Sequence, residues 1–229
     1  MTQLALPLVS AAQFAADDFI VSRSNQQAHG WIQRWPRWPA SALALTGPPR
    51  SGKTHLVEIW RKSAGAWRLE GPQLQAQLHA CLEAGGCGAV EQFEQADERA
   101  LFHLLEHARL HGGALLLTSA LPPDSWRFLL ADVRSRLNAL PKAVLEEPDE
   151  ALLEALLIKL LSDRQLTVPP EVAAFLARRM ERSFAAAEAL VDALDAASLQ
   201  RGRDITTALA REVLLSFFAG SGLILDGVE

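Results

Sequence analysis

Residues 47–54 of this chain read Gly47-Pro48-Pro49-Arg50-Ser51-Gly52-Lys53-Thr54. The octapeptide satisfies the pattern glycine, any four residues, glycine, lysine and threonine, which is typical of a phosphate-binding loop. The apolar run from Ser41 to Thr46 precedes it and predicts a strand, and the residues after it predict a helix. This strand–loop–helix context distinguishes a phosphate loop from a glycine turn that arises by chance.

Each residue type in the loop has a chemical reason. Gly52 lets backbone N–H groups turn inward around phosphate oxygens, and the N-terminus of the following helix adds positive potential. Lys53 is expected to neutralise the β- and γ-phosphates, and Thr54 to ligate Mg²⁺. We therefore predict that nucleotide phosphates are bound by Gly47, Pro48, Pro49, Arg50, Ser51, Gly52, Lys53, Thr54 and His55.

Apolar segments alternate with helical stretches as far as Pro148. Gly88 to Val90 and Ala114 to Thr118 predict buried strands, and Glu98 to His111 predicts a helix between them. Such alternation indicates an α/β core with a parallel sheet flanked by helices. After Pro148 no strand pattern remains, and a small all-helical domain is predicted. Its apolar residues recur at helical spacing in Ala151–Leu161, Val172–Met180, Ala185–Leu199 and Ile205–Phe218.

Composition restricts the classes of function. The 229 residues are 49% hydrophobic, which is enough for a substantial core, and 22 basic against 27 acidic residues give a net charge of -5. The chain has no overall positive charge, so direct nucleic-acid binding is not favoured. Cys81 and Cys87 have neither metal-knuckle nor redox-pair spacing, so a reducing, cytoplasmic compartment is expected. Charged residues or prolines interrupt every apolar run, and no membrane span is expected.

A wider pattern surrounds the phosphate loop. It consists of Phe14, Asp18-Phe19-Ile20-Val21, Ser24-Asn25, Ala28, Leu43-Ala44-Leu45-Thr46 and His55-Leu56. From about Phe14 to Leu215 the chain resembles the AAA+ core of DnaA, the bacterial replication initiator. It stops where DnaA continues into a helix-turn-helix domain, and in this it resembles the Hda family of DnaA-related regulators. The resemblance implies a nucleotide domain at 14–147, a helical lid at 148–219 and a tail at 220–229.

The first residues supply a second point of resemblance. Gln3, Leu4, Leu6, Pro7 and Leu8 are similar to the peptide by which the Hda family docks on the sliding clamp, the β subunit of DNA polymerase III. An extended segment kept open by proline can place spaced leucines in an apolar pocket. Without the DnaA-like core, the same residues would indicate a frayed terminus packing on the protein's own surface. The resemblance implies a clamp-binding peptide at 1–13, with the clamp and DnaA as partners and a homodimer left open.

Several positions depart from a hydrolysing AAA+ site. Glu91 is expected to hold Mg²⁺, but Gln92 stands where DnaA has a second acid, and an amide cannot accept a proton from the attacking water. Ala120 stands at a polar sensor position. Ala185 stands at about the position of the sensor arginine, with Arg182 a nearby substitute. We therefore expect a site that holds ADP, or ATP, with Mg²⁺ and hydrolyses it weakly.

One catalytic element of the family is retained. Arg134-Ser135-Arg136-Leu137 resembles the segment that carries the arginine finger, with Arg136 at the finger position. The resemblance implies that Arg136 is a catalytic residue in trans, which offsets charge on a neighbour's transferring phosphoryl group, an effect of roughly 10³ to 10⁵ in rate. Without the resemblance, Arg136 would be read as a surface arginine in an ordinary ion pair.

Three functions follow from these observations. The first is inactivation of clamp-associated DnaA by stimulated ATP hydrolysis, and its alternative is an autonomous AAA+ ATPase that loads or remodels a replication complex. A P-loop kinase is disfavoured, because the last third resembles a lid rather than a substrate-covering insertion.

Zinc binding at His103, His107 and His111 is not expected, since no acid completes the site. Trp31, Trp35 and Trp38 are expected to pack internally rather than stack on bases.

Overall fold

The computed structural model describes residues 18–201 and 204–221, with side chains as far as Phe217. Within these residues, five strands form one sheet and nine α-helices surround or follow it. In chain order the elements are α1 (Gln26–Gln33), β1 (Ala42–Thr46), α2 (Lys53–Ala64), β2 (Trp67–Glu70), α3 (Leu74–Ala84), β3 (Cys87–Glu91), α4 (Glu98–His111), β4 (Ala114–Ser119), α5 (Ala131–Ala139), β5 (Lys142–Val144), α6 (Glu150–Asp163), α7 (Pro170–Ala177), α8 (Phe184–Arg201) and α9 (Thr207–Ser221).

The sheet is wholly parallel and has the strand order β2-β3-β4-β1-β5. β1 lies between β4 and β5, with Ala44 opposite Leu117 on one side and Lys142 on the other. The connection after β1 therefore runs toward one edge of the sheet, to β2, and the connection after β4 runs toward the other edge, to β5. In open α/β sheets, ligands bind at the carboxyl ends of the strands at such a point. The topology places the candidate site at the end of β1, where residues 47–54 begin.

Both faces of the sheet are covered, which explains the continuous apolar runs of its central strands. All five residues of β1 are buried. Leu43 and Leu45 pack on the side of α1 and α2, whereas Ala42 and Ala44 pack on the side of α3, α4 and α5. Parallel strands buried on both faces lose the polar alternation that half-exposed strands show. The predicted α/β class with a parallel sheet is confirmed.

The tryptophans form part of the core on the α1 and α2 side. Trp60 is fully buried, and the Trp38 ring stacks on it with a centroid distance of 5.2 Å. Trp35 meets Trp60 edge to face at 6.3 Å, and Trp31 packs in the same cluster. These rings cover one face of the sheet. The expectation of internal packing for Trp31, Trp35 and Trp38 is confirmed.

Helices α6 to α9 form a second apolar core after the last strand. Its fully buried leucines are Leu153, Leu157, Leu161, Leu176 and Leu194. The predicted lid helices correspond to α6, α7, α8 and α9, and the all-helical part of the fold class is confirmed. No helix in the described ranges has the length and apolar character needed to cross a bilayer.

One carboxylate joins the lid to the segment before α1. Asp149 caps α6, because its Oδ1 accepts a hydrogen bond from the Leu152 backbone N–H at 2.8 Å. Its Oδ2 accepts a second bond from the Ser24 N–H at 3.3 Å, and the Ser24 carbonyl accepts one from the Glu146 N–H at 3.0 Å. The first turn of α6 is thus fixed to the chain that enters the α/β part of the structure.

Replacing Asp149 with alanine is expected to lower the free energy of unfolding by about 0.5–2 kcal/mol, the usual cost of a lost N-cap. Urea denaturation measures the change. Asp97→Ala is the matched control, because Asp97 caps α4 through the Ala100 N–H alone. The Asp149 variant should lose more stability than the control, since it also loses the bond to Ser24. An equal loss in both variants would contradict the joining role.

Candidate functional site

A cleft of about 690 Å³ opens where the ends of β1, β3 and β4 face helices α6 and α8 of the lid. Most residues of the predicted phosphate loop reach it. Those that line the cleft are Pro49, Arg50, Ser51, Gly52, Lys53, Thr54 and His55. Gly47 and Pro48 contribute through their carbonyl groups, which accept hydrogen bonds from the loop lysine. The motif found in the sequence therefore forms one wall of a single concave surface.

Two glycines of the loop are required by its geometry. Gly52 has φ of 94°, and a Cβ atom there would lie 3.1 Å from the Phe19 ring. A Cβ atom on Gly47 would lie 2.7 Å from Cβ of Leu145 and 2.8 Å from its carbonyl oxygen. A side chain at Gly47 cannot be accommodated without moving the chain after β5. The loop is therefore held close to the sheet, with α2 beginning directly behind it.

Lys53 lies on the concave side of the loop. Its Nζ donates hydrogen bonds to the carbonyl oxygens of Gly47 at 2.8 Å and of Pro48 at 2.7 Å. Burial lowers the pKa of Lys53, and the negative charges of Glu94 and Glu91 oppose that shift. An ammonium group held by two carbonyl oxygens can exchange them for phosphate oxygens, which are stronger, charged acceptors.

The threonine and the acid predicted to share Mg²⁺ lie side by side. The Thr54 hydroxyl donates to Oε2 of Glu91 at 2.6 Å, and the Glu91 side chain is only 7% exposed. Oxygen ligands of this kind suit Mg²⁺. The other Glu91 oxygen, Oε1, lies 2.5 Å from Nε of Arg68 on β2. Arg68 was not predicted from the sequence, because nothing in its local pattern connects β2 with the end of β3.

A second carboxylate reaches the cleft from the turn after β3. Gln92 has φ of 52°, lines the cleft and accepts a hydrogen bond from the Gln95 side chain at 3.0 Å. Glu94 also lines the cleft, and its Oε1 accepts a bond from the Ala120 N–H at 3.3 Å. Its Oε2 is buried and has no hydrogen-bond partner among the described residues. Glu94 was not predicted from the sequence, because only the 3₁₀ turn over Phe93–Gln95 brings it back to the end of β4.

Two ion pairs connect the lid with the rest of the cleft. Lys159 of α6 lies 3.1 Å from the carboxylate of Asp18, and Arg50 of the loop pairs with Glu188 of α8. Both pairs are more than a quarter exposed on each side, so their contribution to stability is small. The lid therefore closes one side of the cleft without being locked onto it.

The lid residues considered for the sensor position do not line the cleft. Ala185 and Arg182 are both exposed, and the lining residues from this region are Phe184 and Glu188. The cation that α6 brings to the cleft is Lys159. Lys159 was not predicted from the sequence, because no motif marks it and only the packing of α6 beside the loop places it at the cleft.

Arg136 lies on α5, outside the lining of the cleft. Its guanidinium pairs with Glu106 of α4 and lies 4.8 Å from the centroid of the Phe102 ring. Arg109 pairs with the same carboxylate, and its hydrogen bond, together with the charge of Arg136, lowers the pKa of Glu106. An arginine that acts on a neighbouring molecule has to lie away from its own chain's cleft, and this position is compatible with that role.

The residues predicted to bind the clamp are not placed by the structure. Gln3, Leu4, Leu6, Pro7 and Leu8 lie outside the described residues. Their role stays a prediction from the sequence.

Comparison with known proteins identifies the lid and the fold. Residues 149–214 match the family model described as the lid domain of Hda. The structure is similar to domain III of the Thermotoga maritima replication initiation protein DnaA, with a TM-score of 0.73 and 17% identity over 90% of this chain and 97% of that one. It is also similar to the Thermotoga maritima RuvB Holliday junction branch migration motor, with a TM-score of 0.67 and 18% identity over 89% and 73% of the two chains. At these identities the structural similarity establishes that the chain shares its fold with DnaA domain III and RuvB.

The carboxylate of Glu58, on α2, gives the site's surroundings a pH dependence. Burial raises the pKa of Glu58, but hydrogen bonds and charges from Arg61 and Arg68 outweigh it and hold the pKa below its ordinary value of 4.5. A lowered folded-state pKa contributes stability that is present above pH 4.5 and is lost as the pH falls through the folded-state value.

Glu58→Gln should therefore reduce the fall in the free energy of unfolding at acid pH, because the variant has no carboxylate to protonate at this position. Urea midpoints over a pH series test this, with Glu171→Gln as the control because Glu171 is exposed on α7, and an unchanged pH profile in Glu58→Gln would contradict it.

Proposed function

We propose that the chain is a DnaA-related AAA+ protein that acts as a negative regulator of bacterial replication initiation, and the match of residues 149–214 to the Hda lid model supports this. In this proposal the nucleotide-bound, cytoplasmic protein docks on the DNA-loaded sliding clamp and stimulates hydrolysis of the ATP held by DnaA. The main support is one observation at the cleft. The phosphate loop lines the same cleft as Gln92 and Ala120, and neither of these side chains can accept a proton from an attacking water molecule.

The proposed ligand is ADP, or ATP, bound along the cleft. Its phosphates meet the loop from Gly47 to His55 and replace the two carbonyl oxygens that Lys53 contacts. Its base and sugar lie against apolar side chains from the segment before α1 and from the lid, among them Ile20, Leu152 and Leu156. Thr54 and Glu91 are the residues that would hold Mg²⁺, and a bound cation would supply charge neutralisation to the phosphates.

Slow turnover follows from the residues at the end of β3 and β4. Gln92 lies at the cleft, and its neutral amide cannot accept a proton from a water molecule. The methyl side chain of Ala120 has no polar group, and its backbone N–H donates a hydrogen bond to Glu94. We propose that the nucleotide acts as a long-lived structural ligand that fixes the lid relative to the sheet.

The activity toward DnaA is proposed to depend on Arg136. Glu106 and the Phe102 ring hold its guanidinium at the surface, where about a third of the side chain is exposed. An arginine so positioned needs little further ordering when a partner's nucleotide approaches. Offsetting charge on the transferring phosphoryl group is worth roughly 10³ to 10⁵ in rate, which suits a protein that activates hydrolysis in another molecule.

Clamp binding is assigned to the N-terminal peptide. Three leucines, Leu4, Leu6 and Leu8, flank Pro7 and follow Gln3. Burying each leucine contributes about 1.5–3 kcal/mol, and ordering of the tail offsets most of the sum. An affinity in the micromolar range is therefore expected, so that the clamp concentrates the protein beside DnaA without holding it permanently.

Lys53→Ala should weaken ADP and ATP binding by about a hundredfold or more, because the loop loses its charge-assisted contact to the phosphates. Isothermal titration calorimetry on the purified chain measures both ligands. Lys62→Ala, near the other end of α2, controls for the loss of one positive charge. If the unsubstituted protein binds neither nucleotide, the proposed function is wrong.

Arg136→Ala should abolish stimulation of DnaA-dependent ATP hydrolysis while clamp binding stays intact. Arg109→Ala is the matched control, since Arg109 pairs with the same Glu106 but does not stand at the finger position.

Gln3→Ala combined with Leu6→Ala should abolish clamp binding, because the peptide loses its glutamine anchor and one of its leucines. Pull-down with the purified clamp measures this loss. Unchanged stimulation by the Arg136 variant would remove the finger role, and unchanged clamp retention would remove the peptide role.

Glu94 supports a second candidate, an autonomous AAA+ ATPase that loads or remodels a replication complex. Its buried Oε2 has no hydrogen-bond partner in the described ranges, and a carboxylate at the cleft can act as a general base. Steady-state hydrolysis by the isolated protein decides between the two. A turnover of about 1 s⁻¹ or faster that Glu94→Gln abolishes would favour the ATPase, whereas negligible turnover favours the regulator.

A further inference from the structure

Arg68 places a fixed positive charge behind the candidate magnesium ligand. The register of β2 and β3 sets Arg68 opposite Ala89 and Glu70 opposite Glu91. Arg68 and Glu91 are therefore diagonal neighbours on one face of the sheet, within reach of each other's side chains. The two atoms that meet are Nε of Arg68 and Oε1 of Glu91, at 2.5 Å.

Both oxygens of Glu91 have a neighbour in this chain, through two kinds of contact. The Thr54 hydroxyl donates a hydrogen bond to Oε2 at 2.6 Å, whereas the guanidinium of Arg68 forms an ion pair with Oε1, which has no hydrogen-bond partner among the described residues. Arg68 is a third exposed and Glu91 only 7% exposed, so solvent and salt screen their attraction less than that of a surface pair. The carboxylate is charge-balanced before any ligand binds.

The remaining contacts of Arg68 hold it in this position. Its terminal nitrogens lie 3.3 Å from Oε1 of Glu58 and 3.5 Å from Oε1 of Glu70. Glu58 has a second cation, Arg61, whereas the contact with Glu91 is made by Arg68. Removal of Arg61 or of Arg68 therefore disturbs the same Glu58, but only the second change alters the charge at Glu91.

A divalent cation at this site has to compete with that guanidinium. Mg²⁺ keeps most of its water and attaches through one or two carboxylates and the ligand's phosphates, in near-octahedral geometry. A carboxylate already paired with arginine attracts it less than one whose charge is unbalanced. Lys53 and the loop's backbone N–H groups can meet the phosphate charge without the metal.

We propose that Arg68 takes over charge balance at Glu91, so that nucleotide binding by this protein depends little on Mg²⁺. The inference rests on the proposed nucleotide binding and specifies its metal requirement. Arg68 is a positioning residue, since it acts through Glu91 and lies outside the lining of the cleft. The same pair also keeps a metal from being firmly seated beside a γ-phosphate, which accords with a site that holds nucleotide rather than hydrolyses it.

The experiment measures ADP affinity of the full chain by calorimetry, in Mg²⁺ and in excess EDTA, and compares the two dissociation constants. For the unsubstituted protein we expect the constants to agree within about fivefold. Arg68→Gln should raise the ratio of the EDTA constant to the Mg²⁺ constant by about tenfold, since Glu91 then needs another cation. Arg61→Gln, the matched control, should leave the ratio unchanged. The double variant Arg68→Gln with Glu91→Gln should return the ratio to that of the unsubstituted protein.

The outcomes separate this inference from the function on which it rests. A ratio well above fivefold in the unsubstituted protein, or an unchanged ratio in Arg68→Gln, overturns the role of Arg68 and leaves nucleotide binding in place. Absence of ADP and ATP binding in both buffers contradicts the proposed function, and the inference falls with it. Circular dichroism checks that Arg68→Gln folds. If it does not fold, the ratio of the two dissociation constants in the unsubstituted protein decides: agreement within about fivefold supports the role of Arg68, and a larger ratio overturns it.

Discussion

The packing of β1 in the middle of the sheet is the constraint on which the rest of the structure depends. Its five residues are buried between β4 and β5, and the chain has to leave the sheet at Thr46. Gly47 then passes so close to Leu145 that no side chain fits. This close passage orients the following loop toward the ends of β3 and β4, and the carbonyl oxygens of the loop hold Lys53. The cleft forms because the buried strand β1 fixes where the chain leaves the sheet and the close packing of Gly47 against Leu145 fixes the direction of the loop that follows.

The part of the fold that was predictable is the part with continuous apolar or strongly periodic sequence. The predicted helix Glu98–His111 has the observed bounds, and the central strands were found to within a few residues. β2 was missed because Trp67–Glu70 carries charged residues whose partners become visible only in three dimensions. β5, Lys142–Val144, is too short to give a pattern. The resemblance to the Hda family is confirmed in the lid, where the family model matches 149–214.

The candidate site was predictable only where it is continuous in the sequence. A motif of eight residues predicted the phosphate loop, and the resemblance added Glu91, Gln92 and Ala120, which line the same cleft as most of that loop. Arg68 and Glu94 were not found, because each reaches the site through a strand pairing or a turn rather than through a spacing along the chain. The sequence motif predicts the loop whose backbone would approach a ligand. The charged side chains around that ligand come from residues distant in the sequence, so they become apparent only in the folded structure.

The position of β2 at one end of the strand order has a consequence for solubility. An outermost strand presents backbone N–H and C=O groups that can template pairing with another polypeptide, the first step toward fibrous aggregates. Charged side chains discourage such addition, and β2 carries Arg68 and Glu70, both engaged in ion pairs. At the opposite margin, β5 has only three residues. The guanidinium that pairs with Glu91 therefore also discourages another polypeptide from adding a strand at this edge of the sheet.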